Sequence, residues 1–119
     1  MWRDPAQLLD MLIAARHVRQ FTAERSQQEF QADIENWSAT CYQLQIIGEA
    51  AIKVSDGFKN SHPEIPWRPI IGLRNQLVHN YAGLIADELW SIVQHDVPQL
   101  ISSLEPLIPP PNEGENENA

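Results

Sequence analysis

Apolar residues recur at intervals of three and four through most of this chain, the spacing that turns one face of a helix toward a core. The first run is Leu8, Met11, Leu12, Ala15, Val18 and Phe21. Asp4 ahead of Pro5 supplies a cap and a first-turn proline, so a helix is predicted over about 5–24. Ser26 to Glu29, "SQQE", has capping-box spacing and opens a short helix with Phe30 and Ile34 turned inward. A longer helix ends near Ser55, with the stripe Trp37, Cys41, Leu44, Ile47 or Gly48, Ala51 and Val54. The pattern leaves open whether the short helix runs into the longer one. Gly48 costs a helix interior about 1 kcal/mol relative to alanine, which close approach by a neighbouring helix would offset.

The segment "DGFKNSHPEIP", Asp56 to Pro66, reads as a loop because Gly57, Pro63 and Pro66 interrupt it. The next helix starts near Pro66 or Trp67, carries Ile70, Ile71, Leu73, Leu77 and Val78, and meets stop signals at Asn80 and Gly83. Asp87 is placed to cap the last helix, whose stripe is Trp90, Val93, Val97, Leu100, Leu104 and Leu107, with a kink expected at Pro98. There is no alternating strand pattern, no Asn-Gly hairpin and no internal repeat. The expectation is an all-α, up-and-down bundle of about four to five helices. One domain is expected over residues 1–108, followed by a disordered acidic tail over 109–119.

Composition narrows the function classes. With 119 residues and 43% apolar content the chain supports one core. No apolar run approaches the roughly 18–20 residues of a membrane span, and the opening segment mixes Asp4 and Asp10 into its apolar residues, unlike a secretory signal. A single cysteine, Cys41, excludes an intrachain disulfide, and a cytoplasmic location is the expectation. The net charge of −8 argues against a broad basic grip on nucleic acid. Its distribution is uneven. Glu113, Glu115 and Glu117 of the tail account for three of the acids, leaving −5 for residues 1–108. Lys53, Lys59, Arg68 and Arg74 outnumber Asp56 and Glu64 over 53–81, whereas 82–108 holds four acids and no Lys or Arg. Contact with a polyanion would therefore be local.

Candidate chemistry concentrates in that positive segment, at Arg74 to Tyr81, "RNQLVHNY". At about 100° per residue, Arg74 and Tyr81 share one line of the helix, and Asn75 and His79 share another. Arg74 and His79 are separated by about 140°, too far apart for one unbroken helix to aim both at one small target. Arginine's reach, a loosened helix near Asn80, or two chains each contributing one Arg and one His would reconcile them. The residue types suit RNA. Cleavage through the neighbouring 2′-hydroxyl needs a base for that hydroxyl and an acid for the leaving oxygen, and histidine serves either role near neutral pH. A guanidinium binds the negative charge gathering on the phosphoryl oxygens. The competing reading is that four polar residues on one helix form a solvated or interface face. Glu49 is by default one end of a core-edge salt bridge, and otherwise a partner for Arg74 or His79. His17, His62 and His95 are isolated and repeat no metal-ligand spacing. Asp87, Glu88 and Asp96 read as helix-end residues, and Trp37, Trp67 and Trp90 as packing.

Together with "LQIIGEAA" (44–51), "HPEIPWRPIIGLRN" (62–75) and "LW…DVP" (89–98), the motif resembles the Arg-x4-His-x-Tyr form found in HEPN ribonucleases of the HepT-like toxin family. The resemblance covers roughly 5–107. It implies a HEPN-type bundle, a homodimer whose cleft gathers both Arg/His sets, and RNA cleavage that needs no metal or other cofactor. It also implies a minimal nucleotidyltransferase antitoxin as partner, able to transfer AMP to Tyr81. On this reading Arg74 and His79 are catalytic, Asn75 and Tyr81 bind or orient substrate, and Glu49 supports them from behind. Two other readings remain: a non-catalytic helical scaffold that docks a nucleotidyltransferase, and a nucleotide-binding regulator.

Overall fold

The computed structural model describes residues 3–109. Every regular element among them is helical. Helix α1, Arg3–Thr22, buries Leu8, Met11, Leu12, Ala15 and Val18. It begins earlier than the sequence suggests, so Asp4 lies inside its first turn and does not cap it. The buried Asp4 carboxylate instead accepts bonds from the Ser55 backbone N–H (2.9 Å) and hydroxyl (2.6 Å), 51 positions away. Glu24 takes a left-handed φ of 61° as the chain turns out of α1.

Helix α2, Gln27–Ala32, has the expected capping box: Glu29 N–H donates to Ser26 Oγ (3.1 Å) and Ser26 N–H donates to Glu29 Oε1 (2.8 Å). The Ser26 backbone bond is the main reason the Glu29 carboxyl sits below its usual range. The chain does not run straight on. Asp33, at φ −100° and ψ 94°, ends α2 and caps α3, Ile34–Lys53, by accepting from Asn36 N–H at 3.1 Å. This break takes Ile34 off the face that Phe30 occupies. Phe30 is fully buried against Trp37 and Trp90, whereas Ile34 is 70% exposed, contrary to the inward position expected from spacing.

The segment expected to be a loop contains a further helix, α4, Asp56–Ser61. Ser55 caps it by accepting from Phe58 N–H at 3.2 Å. Gly57 falls in its first turn and both prolines lie beyond it, so none of the three breaks it. Phe58 stacks on His62 and meets Trp67 edge-on, and Trp67 Nε1 donates to the His62 carbonyl at 3.0 Å, fixing the start of α5, Trp67–His79.

A single 3-10 turn, Tyr81–Gly83, leads to α6, Ala86–Ser91. Asp87 occupies the first turn of α6 without capping it, and its carboxylate bonds Gln27 of α2. A π-helical turn, Ile92–Asp96, joins α6 to α7, Val97–Leu104. The wider turn lies directly ahead of Pro98, where the kink was expected, and eases the clash between the proline ring and the preceding turn.

Helix α3 packs most extensively on α1 and next on α5, and α7 packs on α1. The apolar faces of these helices, including Met11, Val18, Leu44, Ile47, Ala51, Val93, Leu100 and Leu104, form one core. The all-α architecture is as expected. The acidic tail from residue 110 lies outside the described residues. No described helix is long and apolar enough to cross a membrane.

Candidate active site

The polar cluster is built where α5 crosses α3. At Gly48 the two backbones come unusually close. A Cβ placed there would overlap Arg74 Cβ, lie 2.9 Å from Arg74 Cγ and 3.2 Å from the Ile70 carbonyl oxygen. The close approach expected of Gly48 is therefore real, and the residue that uses it is Arg74. Further along, the Tyr81 side chain reaches the thiol of Cys41. Arg74 and Tyr81 are seven residues apart on one segment, and Gly48 and Cys41 seven apart on the other, in reverse order. The two segments thus run antiparallel; because α5 ends at His79, Tyr81 reaches the seam from the 3-10 turn that follows and not along the helix line expected from the sequence.

Arg74 is anchored at its stem and loosely held at its head. Its side chain is 26% exposed. Nη1 donates to Asn75 Oδ1 at 3.1 Å, and Nη2 stands 3.9 Å from Glu49 Oε2. Among the described residues, its buried Nε has no hydrogen-bond partner. Glu49 is steadied by Gln45, whose Nε2 donates to the same carboxylate oxygen at 3.0 Å. Sequence reasoning missed Gln45, although a Gln four residues before a Glu is a recognisable helix-surface pair.

Asn75, His79 and Tyr81 are exposed. Among the described residues the His79 side chain makes no hydrogen bond. Helix α5 stays regular through His79, and the backbone departs from helix only at Asn80 (φ −148°, ψ 53°). The loosening therefore comes too late to swing His79 toward Arg74. The structure gathers Glu49, Arg74 and Asn75, sets Tyr81 against Cys41, and leaves His79 pointing along a separate line.

Burial pushes the Cys41 thiol up to about 11, and its bond with Tyr81 opposes that shift only in part. Within and next to the segment in sequence, Val78, Tyr81 and Ile85 are exposed apolar residues, as is Tyr42 beside Cys41. The apolar groove between α5 and α7, about 440 Å³, is lined by Leu73 and Leu100 among others and by none of Arg74, Asn75, His79 or Tyr81. The cluster is thus an open surface and not the wall of that groove. Among the described residues, no three His, Cys, Asp or Glu side chains are grouped to hold a metal ion.

Comparison with known proteins adds the family. Residues 11–107 match the family described as Ribonuclease HepT-like. A Thermococcus cleftensis protein named Probable ribonuclease HepT is 37% identical over 100 residues, covering 84% of this chain and 91% of that protein. Two Methanocaldococcus jannaschii proteins provisionally named as RNases are 34% and 37% identical, covering 94% and 82% of this chain and 92% and 90% of their own lengths. No solved structure matches. The matched span contains α3, α5 and the whole Arg74–Tyr81 segment, and on that basis the chain belongs to the HepT-like ribonuclease family.

Proposed function

We propose that this chain is a HepT-like toxin that cleaves RNA without a metal ion, acting as a homodimer. The observation that carries the proposal is the state of Arg74: a cation fixed at its stem, its head held by a long ion pair to Glu49, its Nε buried without a partner among the described residues. Such a group is ready to exchange a weak intramolecular contact for a phosphate. Arg74 binds the scissile phosphate and stabilises its transition state, and Asn75 orients the guanidinium or the phosphate. His79 takes the proton from the attacking 2′-hydroxyl. The second chain's copy of that histidine gives a proton to the departing 5′-oxygen, leaving a 2′,3′-cyclic phosphate. Two features support a paired site. Arg74 and His79 lie on different lines of an unbroken helix, and exposed apolar residues flank them.

Tyr81 is 46% exposed, just beyond the end of α5, and accessible to a modifying enzyme. The partner is a minimal nucleotidyltransferase antitoxin. Attack by the Tyr81 hydroxyl on the α-phosphorus of ATP, with pyrophosphate leaving, would put an AMP group beside Arg74 and block RNA. Residues 1–108 form the catalytic domain, working in the cytoplasm.

The test is incubation of the purified protein with RNA in chelator. Wild type yields cyclic-phosphate products, and His79→Ala loses at least about 100-fold in rate while remaining folded and dimeric. Undiminished cleavage by His79→Ala would overturn the assignment. No products from wild type would favour the non-catalytic scaffold. Co-expression with the nucleotidyltransferase should add AMP-sized units to the intact mass, lost in Tyr81→Phe.

A further inference from the structure

We propose that Gly48 is a positioning residue for the reaction: the side chain it lacks is the recess that seats Arg74, and the depth of that recess sets where the guanidinium meets a phosphate. The proposal rests on the reading of Arg74 as the phosphate-binding group. Its physical basis is separate. The atoms a residue-48 methyl would strike are the root of the Arg74 side chain and the Ile70 backbone carbonyl, neither of which can swing aside by rotamer change alone. Helix α5 itself must lift, by about an ångström or more for ordinary carbon–carbon contact. Lifting α5 would draw the buried Nε out of the seam and change the reach from Nη2 to Glu49.

Gly57 and Gly72 have no heavy atom within 4 Å of an added Cβ, and at Gly83 the added atom meets only the movable amide end of Asn80. Among these glycines, position 48 is the one where the obstacle is a side-chain root and a backbone carbonyl. The local helix would favour alanine at 48 as well, so the seam keeps glycine there against propensity.

The experiment compares wild type, Gly48→Ala and the control Gly57→Ala on one RNA substrate, with rates expressed per folded molecule. An arginine Nε–H nitrogen–proton spectrum is recorded for each, with Arg74 assigned from Arg74→Lys. Gly48→Ala should lose at least about tenfold in kcat with KM changed less than about threefold, since a displacement near 1 Å is costly to catalysis. Its Arg74 Nε–H resonance should shift. Gly57→Ala should match wild type in both. A purely structural role would lower the folded fraction and leave kcat per folded molecule intact, and that result would overturn the proposal, as would an unmoved Arg74 resonance.

Should Gly48→Ala fail to fold, Gly48→Ala combined with Arg74→Gly removes the colliding Cβ. The pair should then be as stable as Arg74→Gly alone. A stability penalty from Gly48→Ala that persists in full in the pair would overturn the recess. Wild type that cleaves no RNA would overturn the catalytic reading and the positioning role with it, while the Nε–H shift would still report on the seat itself.

Discussion

Along the seam between α1 and α3, polar groups meet close partners. Asn36 Nδ2 donates to the Phe21 carbonyl at 2.6 Å, His17 and Gln43 pair at 3.2 Å, and Asp4 receives two bonds from Ser55. Leu8, Met11, Leu12, Ala15 and Val18 of α1 are essentially shut from solvent. Along the seam between α3 and α5 the arrangement loosens. The Arg74–Glu49 pair stretches to 3.9 Å, Arg74 Nε has no partner among the described residues, His79 and Val78 are exposed, and Tyr81 stays half-exposed although it reaches Cys41. One helix, α3, serves both seams. Its α1 side holds the fold together, and its α5 side holds unused hydrogen-bonding capacity next to open surface, as expected where stability is traded for function.

If that contrast is sound, damage to the two seams should separate. The largest stability loss should come from Met11→Ala on α1: the side chain is wholly buried, and removing it should cost about 2–5 kcal/mol in urea unfolding. RNA cleavage per folded molecule should hardly change. Asp4→Ala should cost about 1–3 kcal/mol by the same measurement, because Ser55 would be left with donors facing a void. A loss of cleavage per folded molecule in either variant would break the division between seams.

The α5 side should respond to pH through Cys41. Its folded-state thiol is raised to about 11, above the value of about 8.5 for an unfolded thiol. The folded chain therefore keeps a proton that the unfolded chain releases. Stability from this group is fully present below the unfolded value and declines as pH rises toward about 11. Denaturation midpoints across that window should fall, and Cys41→Ala should flatten the slope. The smallest effect belongs to Glu49→Gln, which removes a half-buried, long ion pair. Stability should move by less than about 1 kcal/mol, and KM for RNA should drop about two- to threefold at low salt as Arg74 loses a competing anion. A higher KM would mean that Glu49 holds Arg74 in place instead of competing with phosphate.

Much of this was legible in the sequence because it depended on local rules. The capping box at Ser26, the α5 start at Trp67 and the meaning of Gly48 all follow from spacing and from glycine's cost in a helix. What stayed hidden depended on distant residues. Asp4 looked like a cap because nothing nearby reveals Ser55, 51 positions on. Helix α4 was masked by Gly57 and two prolines, though Ser55 starts it and Phe58 is drawn in by His62 and Trp67. Ile34 followed the helical stripe, but the break at Asp33 turned it outward. At the site the residue types were readable, whereas the helical alignment of Arg74 with Tyr81 was not a guide, because the backbone leaves the helix at Asn80. The sequence offers Glu49 either Arg74 or His79 as a partner; that it is Arg74, with Gln45 behind it, was not legible because the choice depends on how the two helices pack.

One pocket made by two chains is the central claim, and the activity of mixed dimers tests it most directly. Wild-type and His79→Ala chains would be exchanged in equal amounts and assayed at constant total protein. If each pocket needs the histidine of both chains, only dimers with two wild-type chains cut RNA, and activity falls to about one quarter of wild type. A value of about one half, tracking the wild-type fraction in a straight line, would show that each chain works alone and would contradict the shared pocket.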